Sequence, residues 1–436
     1  NGEGDKPVKH LDRPFALGLL AGALLLAGVA RAQPAAPAAP ANIDKLKQFK
    51  VSGTDLNIPP VPQEGRNANA IRENLKRVKL PPGFRIDLYA VVPDARHMAV
   101  APTTNMLFVG TRKTTVWAVT DRNSDGMADE VKPFAPSLNF KNPNGVCWTR
   151  DGFLIVAEHN RVLNFPAAEF FYEGPDVAVA EVVPQGGLIP VEEESFNHGA
   201  RTCRIGPDKK LYVTLGQPFN VPPREKLDLY NKWGIGGIVR MELDGSKREV
   251  FATGVRNSVG MDFNPKDGTL WFTDNQTDGM GDDIPNGEIN RATKAGQFFG
   301  YPWIQGKTRI TEHQYDKDPL PSNVTPAQVL TEAHAADLGL VFYTGRQFPA
   351  KYQGGLFSVQ HGSWNRTKPN GAQLLFTSLK PDGTADKTEV FASGWLDGET
   401  GTLRGRPVDV AVMKDGSLLV SDDYAGALYR ITYQQP

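Results

Sequence analysis

Four groups of polar residues stand at one phase of this chain: Asn142 to Asn144, Asn197–His198–Arg201, Arg256–Asn257, and Arg404–Arg406–Asp409. Each lies a few residues ahead of an apolar hairpin pattern. Histidine is neutral near pH 7 and suits proton abstraction from a hydroxyl. Arginine pairs with carboxylates through two parallel hydrogen bonds. One histidine joined by arginines and amides therefore points to base chemistry beside a ligand with several carboxylates. A single histidine ahead of a strand is more often structural. The shared phase with Arg256–Asn257 and Arg406 is what makes His198 a candidate base. Ion pairing between repeats is the competing reading of the arginines.

A second set of polar residues follows the hairpins: Glu158–Asn160, Gly216–Gln217, Asp274–Asp278 with Asn275 inside it, His361–Arg366, and Asp422–Asp423. These are expected at the same edge of the strands. Two acidic stretches suggest cations. Asp121–Glu130 has oxygen-bearing residues at alternate positions and Gly126 sixth, like the start of a calcium loop. Its twelfth position is Lys132, so it is not an EF-hand loop. Gly281–Asn290 is the other stretch.

The elements that must position these residues recur. Val146–Glu158, Cys203–Leu215, Met261–Asp274 and Val410–Asp422 each read as apolar strand, turn, apolar strand. Asp-Gly between alternating apolar runs is a strong hairpin signal, because the turn needs positive φ. Met98–Gly110 and Gly354–Gly362 are weaker copies. The marker leucines are Leu107, Leu154, Leu211, Leu270, Leu356 and Leu418. Their spacing leaves room for a four-stranded blade each. The expected fold is all-β, a six-bladed β-propeller over residues 80–436. A β-sandwich pair would lack a blade-sized period. Residues 300–337 form a Pro-rich stretch with little periodicity, expected to be a functional surface insertion. Ala68–Val78 is the best short-helix candidate.

Composition agrees. Glycine and proline number 44 and 34, about 18% of the chain, against roughly 12% in average usage. That excess implies many turns. A net charge of −1 offers no electrostatic case for nucleic acid. The two cysteines, Cys147 and Cys203, lie in apolar strands. They are expected as buried thiols, with a disulfide between neighbouring repeats as the alternative. No C-x-x-C-H occurs, so no covalently attached c-type haem is expected. Phe15–Ala30 is uncharged, follows Lys9, His10 and Arg13, and precedes an A-x-A site at Ala30–Ala32. It reads as a secretory signal, residues 1–32, rather than a membrane anchor. Residues 33–79 read as a linker or extension. The mature protein is expected to be exported to the periplasm without stable membrane insertion.

Several segments together resemble the soluble quinoprotein sugar dehydrogenases of the glucose/sorbosone type, across roughly residues 80–433. They are Leu80-Pro-Pro-Gly-Phe-Arg-Ile, Gly254-Val-Arg-Asn257 with Met261-Asp-Phe-Asn-Pro, Gly405-Arg-Pro-Val-Asp409, His361-Gly-Ser-Trp-Asn-Arg366, and Ser421-Asp-Asp-Tyr-Ala-Gly426. The resemblance implies a six-bladed propeller that uses pyrroloquinoline quinone (PQQ) and calcium. His198 matches the base that takes the substrate hydroxyl proton, and Arg256 the cation beside the reacting oxygens. Asn257 and Arg406 match cofactor contacts, and Gln217 a polar residue near them. Arg201, Asn275, Arg366, Arg404 and Asp409 are the further cofactor-binding candidates. Gln276 and Thr277 stand where calcium is held by backbone carbonyls, although Asp274–Thr277 departs from the family's Glu-His-Gly-Pro type of segment. The implied activity is oxidation of an aldose or aldehyde, with electrons leaving to an external acceptor. A calcium-dependent propeller lactonase and a non-catalytic binding propeller are the alternatives.

Overall fold

The computed structural model describes residues 58–174, 177–311 and 314–434. The expected secretory signal and the first part of the extension lie outside the described residues. The described chain is a six-bladed β-propeller. The blades span residues 98–134, 145–183, 203–253, 261–331, 337–392 and 407–433. They are numbered 1 to 6 in that order.

Each predicted hairpin supplies two strands of a blade. In blade 2, Gly145–Trp148 pairs with Leu154–Ala157; in blade 3, Cys203–Ile205 pairs with Leu211–Leu215. In blade 4, Met261–Phe263 pairs with Leu270–Asp274; in blade 6, Pro407–Val412 pairs with Leu418–Asp422. The first strands of all six blades contact one another in a ring around the central axis. Blade 6 is closed by the N-terminal strand Phe84–Val91, which pairs with Ala427–Tyr433. Joining the two ends in one sheet leaves the ring without a seam between first and last blade.

Alternation along these strands buries one apolar row against each neighbouring blade. Phe108, Phe134 and Phe165 pack between blades 1 and 2, and Phe348, Phe357 and Phe391 between blades 5 and 6. Helix α1 (Arg66–Leu75) buries Ala68, Ile71 and Leu75 in the latter cluster. Residues 58–79, grouped with an extension in the sequence, thus include a helix packed on the propeller.

Two expectations are corrected. Cys147 and Cys203 form a disulfide. They sit on the first strands of blades 2 and 3, whose approach sets their Cα atoms 5.9 Å apart, within disulfide reach. Residues 300–337 are not wholly an insertion. Val329–Thr331 is the outer strand of blade 4, pairing with Gly287–Ala292. Ahead of it, Ile304–Gln305 and Thr308–Arg309 form a small separate hairpin.

Candidate active site

In an antiparallel hairpin, the residues before the first strand and those after the second lie at the same end. Six such hairpins in a ring bring twelve short segments to one face of the axis. A cavity of about 260 Å³ opens there. It gathers His198, Arg256, Asn257, Asn275, Gln276 and Arg406 from the sequence-predicted set.

His198 sits on the loop entering blade 3, with a left-handed backbone (φ 54°). Its Nδ1 lies 2.6 Å from the Gln217 carbonyl oxygen. A carbonyl only accepts, so Nδ1 carries the proton and the neutral ring presents Nε2 as a base. Burial, then the nearby Arg256 charge, pushes the His198 pKa down to about 3. The ring is therefore neutral at physiological pH. The close packing depends on Gly216, where a Cβ would fall 2.4 Å from Asn257 Oδ1 and 2.6 Å from the His198 carbonyl oxygen.

Arg256 is held rigidly. Its Nε donates to the Asn220 carbonyl at 3.0 Å, and its Nη2 to Asn220 Oδ1 and Asp278 Oδ2, both at 2.9 Å. The backbone N–H groups of Arg256 and Asn257 donate to the buried Asp274 carboxylate. Arg406 donates to the carbonyls of His361 at 3.2 Å and Gly362 at 2.6 Å. Its ion pairing is therefore not consumed by a carboxylate contact. Asn275 donates to the Asn257 and Asp337 carbonyls.

The remaining candidates lie elsewhere. Arg201 is 2% exposed, and its guanidinium donates to the carbonyls of His159, His198 and Gly216. It braces the His198 loop from below. Asp409 is fully buried and accepts from the Met98 N–H at 2.9 Å. Arg404 pairs with Asp397 at 2.7 Å beside a different depression. Arg366 donates to the carbonyls of Asp282 and Ala333. Gln217 turns its side chain into a second cavity. The Thr277 N–H and hydroxyl both donate to Gln305 Oε1.

Further residues complete the wall, among them Arg96, Arg112 and His334, which were not singled out in the sequence. Arg96 and Arg112, on either side of the first hairpin of blade 1, raise the arginines lining the cavity to four. Arg96 donates to Asp423 Oδ2 at 2.6 Å, and Asp423 Oδ1 meets His361 Nε2 at 2.8 Å. The Arg112 Nε is buried without a hydrogen-bond partner, and its guanidinium lies 4.8 Å from the centre of the Phe196 ring. Burial and then Arg96 lower the Arg112 pKa to about 10, so it stays charged. His334 and the exposed Trp364 line the rim. The phase rule applied to blades 1 and 5 finds Arg96, Arg112 and His334.

The first acidic stretch closes on itself, and the second bonds to neighbouring loops. Asp129 accepts from the Arg122 and Asn123 N–H groups, and Asp121 from Gly126 N–H. Asp282 accepts from Thr367 N–H. Among the described residues, no group of three or more His, Cys, Asp or Glu side chains is placed to hold a metal ion.

The family description Glucose / Sorbosone dehydrogenase matches residues 187–430, more than half of the chain. The chain belongs to the glucose/sorbosone dehydrogenase family. Within this family member, the matched region carries His198, Arg256, Asn257 and Arg406, whereas Arg96 and Arg112 precede it. A curated protein of Borreliella burgdorferi, described as uncharacterized, is 37% identical over 254 residues. That match covers 57% of this chain and 64% of the relative. Solved structures agree on the fold. The PQQ domain of a Coprinopsis cinerea pyranose dehydrogenase aligns with a TM-score of 0.65 at 17% identity, over 86% of this chain and 99% of that one. A Trichoderma reesei enzyme of carbohydrate-active family AA12 gives 0.66 at 18%, over 82% and 98%. The soluble aldose sugar dehydrogenase of Escherichia coli gives 0.56 at 17%, over 80% and 100%.

Proposed function

We propose that this family member is a quinoprotein oxidoreductase that oxidises an aldose or aldehyde, with PQQ in the arginine-lined cavity and His198 as general base. The observation that carries the reading is the pairing of one neutral, tautomer-fixed histidine with four guanidinium groups around one cavity. The donor chemistry fits a planar polycarboxylate. The Arg112 Nε is a buried donor without a partner, and such an atom costs stability unless a ligand acceptor satisfies it. Arg112 and Arg406 have no carboxylate partner within the cavity, and each can take a ligand carboxylate.

PQQ, when bound, supplies the hydride acceptor. The chain's own residues do the rest. His198 Nε2 takes the proton of the substrate hydroxyl, while Nδ1–H stays on the Gln217 carbonyl. Arg256, anchored by Asn220 and Asp278, holds positive charge at a fixed place, which favours negative charge developing there. Calcium fits the carbonyls of Gln276 and Thr277, since neither accepts a hydrogen bond among the described residues and oxygen is the ligand this ion prefers. Export to the periplasm and an external electron acceptor belong to the same proposal. No helix among the described residues is long and apolar enough to cross a membrane.

The test is calorimetric titration of PQQ into the protein with and without calcium, followed by dye reduction with a panel of aldoses and aldehydes. Tight binding strengthened by calcium, and turnover needing both, is the expected result. Absence of PQQ binding overturns the reading and leaves the fold standing.

A further inference from the structure

A second cavity, of about 420 Å³, lies behind the first. It is walled by the end of blade 3, helix α2 (Leu227–Trp233) and the stretch after Gly296. Its volume is within the roughly 300–1,000 Å³ usual for small-molecule sites. No Asp, Glu, Lys or Arg lines it.

The lining is aromatic: Tyr230, Phe298, Tyr301 and Trp303. The polar ends of three of these rings are already used. The Tyr230 hydroxyl donates to Glu193 at 2.8 Å, Trp303 Nε1 donates to Asp318 at 2.8 Å, and the Tyr301 hydroxyl donates to the Asn220 carbonyl. Gln217 is likewise occupied, by the backbone of Phe219. What the cavity offers a ligand is ring faces, the Thr253 hydroxyl and the amides of Asn231 and Asn323. Both asparagines are exposed. A sugar, with a hydroxyl on almost every carbon, would leave most of its hydrogen bonds unmade here. A flat, neutral, aromatic molecule with a few carbonyl acceptors would not.

The two cavities share no lining residue, but hydrogen bonds join their walls. Gln217 faces the second cavity, while its carbonyl holds His198 Nδ1 in the first. Tyr301 lines the second cavity and bonds the same Asn220 carbonyl that anchors Arg256 Nε. We propose that the second cavity seats a small neutral quinone as the terminal electron acceptor. The inference rests on the oxidoreductase reading above. The overall reaction balances without another reactant. The substrate alcohol gives up two electrons and two protons and becomes a carbonyl. The quinone takes two electrons and two protons and becomes a hydroquinone.

The test is equilibrium dialysis of menadione against the full chain, with neither sugar nor PQQ present. Saturable binding at one site is expected, weakened at least about tenfold in Asn231→Trp, which fills the cavity from an exposed helix position. Asn323→Trp, on a separate segment of the lining, is expected to do the same, so one poorly folding variant does not end the test. In turnover, Asn231→Trp raises the KM for menadione and leaves the KM for sugar unchanged. No saturable binding by the unmodified chain, unchanged affinity in both tryptophan variants, or binding of glucose in place of menadione overturns the proposal. Because PQQ is absent from the dialysis, failure of the PQQ reading and failure of this one are separate results.

Discussion

The two cavities lie back to back, yet their linings are opposites. The first concentrates four arginines and three histidines beside Asp278; the second has no charged residue and presents ring faces. The difference follows from which part of the propeller supplies each wall. The first is lined by segments at the ends of inner strands, where polar groups from several blades converge. The second is roofed by chain that leaves blade 3 and returns near Gly296 and Trp303, which packs as aromatic clusters do. A charged seat for an anion and a neutral seat beside it can hold two ligands of different chemistry without competition.

The sharpest way to break this comparison is at His198. Glutamine there keeps a polar group of similar reach but removes the base. Sugar turnover in His198→Gln is expected to fall by about 10²–10⁴-fold, with PQQ affinity changed only a few-fold in calorimetry. Unchanged turnover would remove His198 from the mechanism. Arg112→Gln comes next. A charge-assisted hydrogen bond contributes about 1.5–3 kcal/mol, so PQQ affinity should weaken about ten- to a hundredfold, while menadione binding by dialysis stays the same. Equal weakening of both ligands would show that the cavities are not electrostatically distinct.

These residues also mark what the sequence could reveal. The hairpins were legible because Asp-Gly and Pro-Asp turns stand between alternating apolar runs, as at Asp151-Gly152 and Pro207-Asp208. The same phase located His198, Arg256 and Arg406. Arg96 and Arg112 were missed because the blade 1 hairpin turns through Pro102-Thr-Thr-Asn105, a weaker signal. His334 was missed because the first strand of blade 5, Asp337–Phe342, is separated from its partner Leu356–Gln360 by a longer connection. Phase also cannot tell which way a side chain turns. Arg201 and Asp409 stand at the right distance from their hairpins, yet one braces backbone carbonyls and the other accepts from Met98 N–H of the neighbouring blade 1. The disulfide was undecidable for a related reason: it depends on the approach of two blades, which neither cysteine's local pattern records.

The bonding between the two walls is a milder test. Tyr301→Phe removes one donor to the Asn220 carbonyl and leaves the Arg256 contacts in place. Because a typical hydrogen bond nets about 1 kcal/mol, a shift of about fivefold in PQQ affinity is expected, through looser positioning of Arg256. Menadione should still bind, since the ring face remains. Loss of menadione binding alone would place the Tyr301 hydroxyl inside the second site rather than in the wall.

The smallest effect concerns the acids beneath the first cavity. Asp274 supports the Arg256–Asn257 backbone, and Glu288 lies opposite it in the blade 4 ladder. If both were ionised, they would offset much of the arginine charge above them. Burial, then the Asp274 charge, pushes the Glu288 pKa up to about 8. Its folded value is thus above its unfolded one, so its contribution to stability is complete at low pH and is lost as pH rises through about 8. Asp337, pushed up to about 7 by burial, titrates over part of the same interval, so the Glu288 contribution is read as the difference between the unmodified protein and Glu288→Gln from pH 7 to 9. Over that interval the loss is on the order of 1 kcal/mol, or a Tm fall of about 1–2 °C for a chain this size. Glu288→Gln keeps the acceptor for the Gly306 N–H and cannot ionise, so its Tm should fall less there than that of the unmodified protein. PQQ affinity should follow the same pattern, falling with pH in the unmodified protein and falling less in the variant. A variant that tracks the unmodified protein on both measures would mean that Glu288 is ionised at neutral pH, and that the first cavity is less positive than its four arginines imply.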